Sequence, residues 1–157
     1  MKRGVRLGVW LMTLALGVRC NTFSAASELN AGSDALTAGR NEEALQHYDK
    51  AIAIEPKFGS AHCMRGSALL KLKRFGEAVE AFKVCVSLDS KDHDAKASLA
   101  EALARSCKYA EARSALDALD AANTQDPRVR QNGEWVRTRL AKADALGGRC
   151  LPSEEWQ

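Results

Sequence analysis

GSALLKLKRFGEAVEAFKVCVSLDS, residues 66–90, decides the architecture of this chain. The small residue Gly66 lies nine positions before the aromatic Phe75, and Ala78, Phe82 and Cys85 follow in the order small, aromatic, small. Thirty-four residues earlier the order recurs as Gly32, Ala44, Tyr48 and Ala51, followed by Pro56. Thirty-four residues later it returns more weakly as Ala100, Tyr109, Ala112, Leu116 and Leu119. A fixed period of this size marks a stacked-repeat protein. Each unit offers two short amphipathic helices, A and B, that bury their apolar faces only against neighbours. The expected fold is therefore all-α, a helix-turn-helix solenoid. Small residues admit close backbone approach where helix A meets helix B, and the helix B aromatic is expected to fill the gap toward the next unit. An ordinary helical bundle with accidental small residues is the competing reading, and three copies in phase argue against it.

The pattern resembles the tetratricopeptide repeat (TPR) family over about residues 25–125, as three repeats beginning near Ala25, Gly59 and His93. Pro56 closes the first repeat where that family usually has proline, and Ser90 and Thr124 stand there in the other two. The family's frequent large residue early in helix A is Glu28, His62 and Lys96 here. The resemblance implies a TPR domain over 27–146, with repeats near 25–58, 59–92 and 93–126 and a capping helix over 127–146. It carries little function by itself, because one scaffold serves many partners.

The formal charge of +3 belongs to the leader, where Lys2, Arg3, Arg6 and Arg19 precede the first acid, Glu28. Without those four, nineteen basic side chains face twenty acidic ones, which removes the main support for nucleic-acid binding. The segment reads MKRGVR, then LGVWLMTLALGV, then RCNTFSAAS. A basic start, a twelve-residue apolar run and small residues after it fit a secretory signal peptide over 1–26, cut after Cys20 or after Ala26. The apolar run is short for a membrane span. A mitochondrial presequence is the rival, since the segment holds Arg and no acid, but Leu7 to Val18 is continuously apolar rather than amphipathic. Membrane contact is expected only if the leader stays as an uncleaved anchor.

Within the repeats, helix 1A is expected over about Ser27–Thr37 and helix 2A over about Ser60–Leu72, with Asn41 capping helix 1B and Lys73–Arg74 in a turn. Asp126–Pro127 starts another helix, Asp as N-cap and Pro at the first helical position. There Val129, Gly133, Val136, Leu140 and Ala143 form one apolar stripe on a charged helix, which suits the terminal unit of a solenoid. Gly147–Gly148 ends it, and the tail over 147–157, RCLPSEEWQ from Arg149, is expected to be flexible.

No catalytic constellation emerges, so the chain is expected not to be an enzyme. His47, His62 and His93 stand one per repeat with no metal-ligand spacing, and no glycine-rich phosphate loop opens a helix. No cofactor, metal or small-molecule substrate is expected. Beyond the leader lie Cys63, Cys85, Cys107 and Cys150, none in a Cys-x-x-Cys pair. Cys85 occupies a small-residue packing position, a Cys107–Cys150 bridge is conceivable, and the pairing stays open between three connectivities and free thiols.

Binding is expected on the concave face that helices A line in the TPR phase: Leu29, Ser33, Leu36, Cys63, Ser67, Leu70, Ala97, Glu101, Ala104 and Arg105, with Trp135 of the capping helix. One TPR subclass grips the Glu-Glu-Val-Asp tails of heat-shock chaperones with Lys, Asn, Asn, Lys and Arg. The matching positions are Leu29, Ser33, Met64, Asp94 and Ser98, so that carboxylate clamp is disfavoured. A groove with an apolar floor suits a peptide with hydrophobic anchors.

A leader followed directly by LNAGSDALTAGRNEEALQHYDKAIAIEP and AHCMRGSALLKLKRFGEAVEAF resembles the kinase-inhibitor-type DnaJ co-chaperone of the endoplasmic reticulum lumen. That resemblance implies a protein or peptide partner, such as hydrophobic segments of unfolded clients, without the J domain that recruits the lumenal chaperone. The expected location is the endoplasmic reticulum lumen or the secreted fraction, with the mitochondrion as alternative. The second functional reading is a structural adaptor in a larger membrane or organelle assembly, contacting a neighbour through Trp135 and the tail.

Overall fold

The computed structural model describes residues 24–122 and 124–156, so the leader expected over 1–26 lies almost wholly outside the described residues. Among the described residues the chain forms helices and no strand, and no helix is long and apolar enough to cross a membrane. The helices are α1 (24–37), α2 (Asn41–Ile54), α3 (Gly59–Lys71), α4 (Phe75–Leu88), α5 (His93–Arg105), α6 (Tyr109–Ala121) and α7 (Pro127–Ala145). A 3-10 turn, Ser153–Trp156, follows. Neighbours in sequence pack as neighbours in space from α2 onward, and α7 lies against α5 as well as α6. The array is a solenoid of helical hairpins closed by α7. The leader boundary at residue 26 falls inside α1, whose Ala25 is fully buried.

The period survives in the backbone of the A–B turns. Gly39, Lys73 and Cys107, each 34 residues apart, take positive φ of 77°, 58° and 63°. In each turn the following amide reaches back to close the helix: Arg40 to Ala35, Arg74 to Leu69 and Lys108 to Leu103, all at 2.9 Å. This is the left-handed helix ending that glycine favours because it lacks a Cβ. Lys73 holds that conformation as an exposed, non-glycine residue. Lys73→Gly is therefore expected to raise stability by about 0.5–1 kcal/mol by relieving left-handed strain, read as a higher urea midpoint.

Helix starts follow local chemistry unevenly. Asp92 caps α5 by accepting from the Ala95 amide at 2.8 Å, and Asp126 caps α7 by accepting from the Arg128 amide at 2.8 Å. Hydrogen bonds from the Arg128 backbone and side chain hold the Asp126 carboxyl below its usual range. Asn41, expected as a cap, is instead the first residue of α2; Arg40 occupies the cap position with no side-chain capping bond, and Asn41 Oδ1 is buried without a partner. The left-handed turn at Gly39 brings Arg40 into the cap position one residue early.

The helix B aromatics Tyr48 and Phe82 belong to one buried cluster that runs through successive units. They seat on the glycine of their own repeat. A Cβ on Gly66 would lie 2.8 Å from the Phe82 ring, and one on Gly32 would lie 2.5 Å from Tyr48. Phe82 and Tyr48 are almost wholly buried, and burial pushes the Tyr48 phenol above its usual pKa. In the third repeat Ala100 and Leu116 take the equivalent positions, both buried.

The tail is the largest departure from expectation. It folds back instead of remaining flexible, and Leu151 and Trp156 are buried in the main core cluster. Tyr109 Oη donates to the Arg149 carbonyl at 3.1 Å and accepts from the Leu151 amide at 3.0 Å. Cys107–Cys150 is a disulfide that ties the start of this segment to the α5–α6 turn. Two apolar anchors and one covalent tie hold a stretch whose composition alone looks polar.

Candidate peptide-binding face

The first part of the expected face is apolar and half-buried. Leu29 and Leu36 of α1, and Met64 and Leu70 of α3, pack partly against the core while keeping some exposed surface. The hydroxyls between them are turned inward: Ser33 donates to the Leu29 carbonyl at 2.9 Å and Ser67 to the Cys63 carbonyl at 3.2 Å. Such i−4 back-bonds satisfy the hydroxyls within their own helix. The strip therefore offers methyl groups and few polar partners.

Three expected face residues are engaged by the fold itself, Cys63 in a bridge and Ala97 and Ala104 in the core. Cys63 is joined to Cys85 in a disulfide between α3 and α4, with Cα atoms 5.3 Å apart, a spacing normal for a bridge. Its sulfur is spent on holding the second hairpin together. Ala97 is buried with Leu119 and Val129, and Ala104 is fully buried in the main cluster. Both are core positions because α5 packs against α6 on one side and α7 on another. Asp92 approaches the Cys63–Cys85 pair, and the three potential ligand atoms lie within 4.8 Å of one another. The bridge removes both thiolates from metal ligation in this oxidised form.

At the α5–α7 end the remaining residues converge. Glu101 and Arg105, each about one-fifth exposed, pair at 2.9 Å. The Arg105 guanidinium lies over three rings, 5.7 Å from Phe75, 5.2 Å from Trp135 and 5.5 Å from Trp156. A cation within about 6 Å of a ring face is attracted by the ring quadrupole. Trp135 and Trp156 meet at 5.7 Å between centroids, tilted by 54°. Arg139 covers the Trp135 ring at 4.4 Å. Trp135 and the tail are thus engaged with each other.

Phe75, Arg139 and Trp156 were not among the expected site residues. Trp156 carried a weak signal, an isolated aromatic five residues after Leu151 in a polar tail. Phe75 marked the repeat phase but gave no hint of meeting Arg105. Two of the three histidines have local partners: His47 Nδ1 pairs with Glu28 at 2.7 Å, and His62 Nε2 meets the Pro56 carbonyl at 2.9 Å, whereas His93 Nδ1 is buried without one. A cleft of about 700 Å³ opens elsewhere, between the end of α6 and the start of α7 near Asp120, Thr124 and Arg130, and includes none of the expected binding residues.

Two overlapping family models, both described as tetratricopeptide repeat, match residues 29–93 and 69–131. Together they span about two thirds of the sequence. The chain belongs to the tetratricopeptide repeat family. Small glutamine-rich tetratricopeptide repeat-containing protein 2 of Mycosarcoma maydis is 31% identical over 93 residues, covering 54% of this chain and 26% of that protein. Stress-induced-phosphoprotein 1 of Caenorhabditis elegans is 31% identical over 71 residues, covering 45% and 22%. The aligned part spans about a quarter of the length of these curated relatives.

Among solved structures, the TPR2B domain of yeast Sti1 in its pHsp70 complex superposes with a TM-score of 0.70 at 20% identity, over 76% of this chain and 98% of that one. The first TPR of Spaghetti (RPAP3), bound to the HSP90 peptide SRMEEVD, gives 0.69 at 20% identity, over 76% and 95%. At that identity the likeness establishes the shared TPR fold, a scaffold for protein–protein interaction.

Proposed function

We propose that this TPR domain holds hydrophobic peptide segments of partner or unfolded client proteins along α1 and α3, as a chaperone-associated factor of the secretory pathway. The observation that carries this reading is the partly buried apolar strip of Leu29, Leu36, Met64 and Leu70, whose intervening hydroxyls are already satisfied. Apolar anchors seated in such a strip supply affinity, and the polar rim sets register. A neighbour of the same fold has been solved with an HSP90 peptide, which supports a peptide partner. The acidic ending of SRMEEVD needs cations, and Leu29, Ser33, Met64, Asp94 and Ser98 supply none where the clamp would stand.

Two disulfides in a domain of this size favour an oxidising compartment. A leader cut after Cys20 keeps all of the described part of α1, whereas a cut after Ala26 removes residues 24–26 from it. Mass spectrometry of the native N-terminus from fractionated cells tests the location. A start at Asn21 in a secretory fraction supports it, and an intact Met1 or a cut form in mitochondria overturns it. For binding, Leu29→Gln with Leu70→Gln keeps side-chain volume while removing the apolar surface. The pair is expected to weaken a hydrophobic peptide by at least about tenfold with an unchanged far-ultraviolet spectrum. Unchanged affinity in the folded variant would sink the proposal.

A further inference from the structure

The α5–α7 end of the face already holds a peptide, the chain's own Leu151–Trp156. Its contacts are those by which proteins hold extended ligands. Arg105 donates to the Trp156 carbonyl at 3.0 Å, and Arg139 donates to the Glu155 carbonyl at 3.2 Å, so two side chains hold main-chain groups. Lys142 pairs with the Glu155 carboxylate. Trp156 sits in a cage of Trp135 and the Arg105 guanidinium, only 5% exposed. Its indole N–H is satisfied within the segment, donating to the Leu151 carbonyl at 3.3 Å. The receiving groups come from α5, from Tyr109 at the start of α6 and from α7, and the segment forms only one short 3-10 turn of its own.

We infer that Leu151–Trp156 is an intramolecular ligand. It fills a binding site for peptide segments in which an acidic residue directly precedes a tryptophan, and partner segments of that chemistry displace it. The recognition rule follows from the seat. Lys142 selects the acid, the Trp135–Arg105 cage selects a large aromatic, and the two arginine-to-carbonyl bonds accept any backbone. The Cys107–Cys150 bridge fixes the segment six residues from Trp156, which gives the tail a local concentration in the millimolar range or above. A free peptide therefore competes poorly until the tail is weakened. This inference shares the inner face with the function proposed above but uses different residues, so the two fail separately.

The test uses the full chain and a fluorescein-labelled peptide LPSEEWQ, copied from residues 151–157. Trp156→Ala, with a native far-ultraviolet spectrum, is expected to bind it at least about tenfold more tightly than the unmodified chain. Adding Arg105→Ala should abolish the gain. A folded Trp156→Ala chain that binds no better overturns the inference and makes the tail purely structural. Should that variant fail to fold, the unmodified chain decides. With ¹⁵N-labelled tryptophan indoles, unlabelled peptide raised to about 10 mM should shift the Trp156 signal toward that of an exposed indole, and an unmoved signal overturns the inference. Leu29→Gln with Leu70→Gln should leave LPSEEWQ binding intact. If LPSEEWQ binds and hydrophobic peptides do not, this site stands and the broader client-binding reading falls.

Discussion

Phe82→Ala is expected to cost about 3–5 kcal/mol, the usual range for emptying a buried aromatic site, and to lower the urea midpoint accordingly. Phe82 is 1% exposed and lies where a Cβ on Gly66 would stand, in the middle of the second hairpin. The same contact makes Gly66→Ala unfavourable by about 1–3 kcal/mol, because the added methyl meets a ring that packed neighbours hold in place. The two effects should not add. With Phe82 already reduced to Ala, the Gly66 methyl enters vacated space and its cost should shrink or reverse sign. A double-mutant cycle reads this as coupling well above the few tenths of a kcal/mol expected for independent sites. Additive behaviour would show that the glycine–aromatic contact does not organise the hairpin.

Removing the tail bridge with Cys107→Ser and Cys150→Ser is expected to destabilise the domain by about 2–4 kcal/mol, since the bridge closes a long loop in the unfolded chain. The partners are 43 residues apart, against 22 for Cys63 and Cys85, so the chain-entropy term is larger for the tail bridge. The denaturant slope should also steepen, because an unbridged chain exposes more surface when unfolded. Urea titrations of the serine variant, and of the unmodified chain with and without dithiothreitol, measure both quantities. A midpoint indifferent to reductant would mean that the bridges add nothing to stability.

Much of the fold was legible because it rests on local chemistry repeated in phase. The small residues at Gly32, Gly66 and Ala100 and the aromatics at Tyr48 and Phe82 carry the period, and amphipathic helices of this length must stack. The strip of Leu29, Leu36 and Leu70 was legible too, since helical phase alone places these residues on helix A. What helical phase could not show is depth. Ala97 and Ala104 share that phase, yet the packing of α6 and α7 around α5 buries them. Cys63 also shares it, but its sulfur turns to Cys85 on the neighbouring helix.

The sequence by itself determined the all-α repeat array, its 34-residue period and the helix start at Asp126–Pro127, because spacing and capping are local properties. It also placed no basic side chain at Leu29, Ser33, Met64, Asp94 and Ser98, a property of the sequence that packing does not alter. Only the tertiary structure decided the seat of the aromatics, the pairing of the four cysteines and the fate of the tail. Those depend on which surfaces meet between residues 16 to 51 apart in sequence, from Gly66–Phe82 to Arg105–Trp156. A polar nonapeptide such as RCLPSEEWQ has too little apolar surface to fold alone, and it gains order only because Trp135, Arg105 and Tyr109 are already in place to receive it.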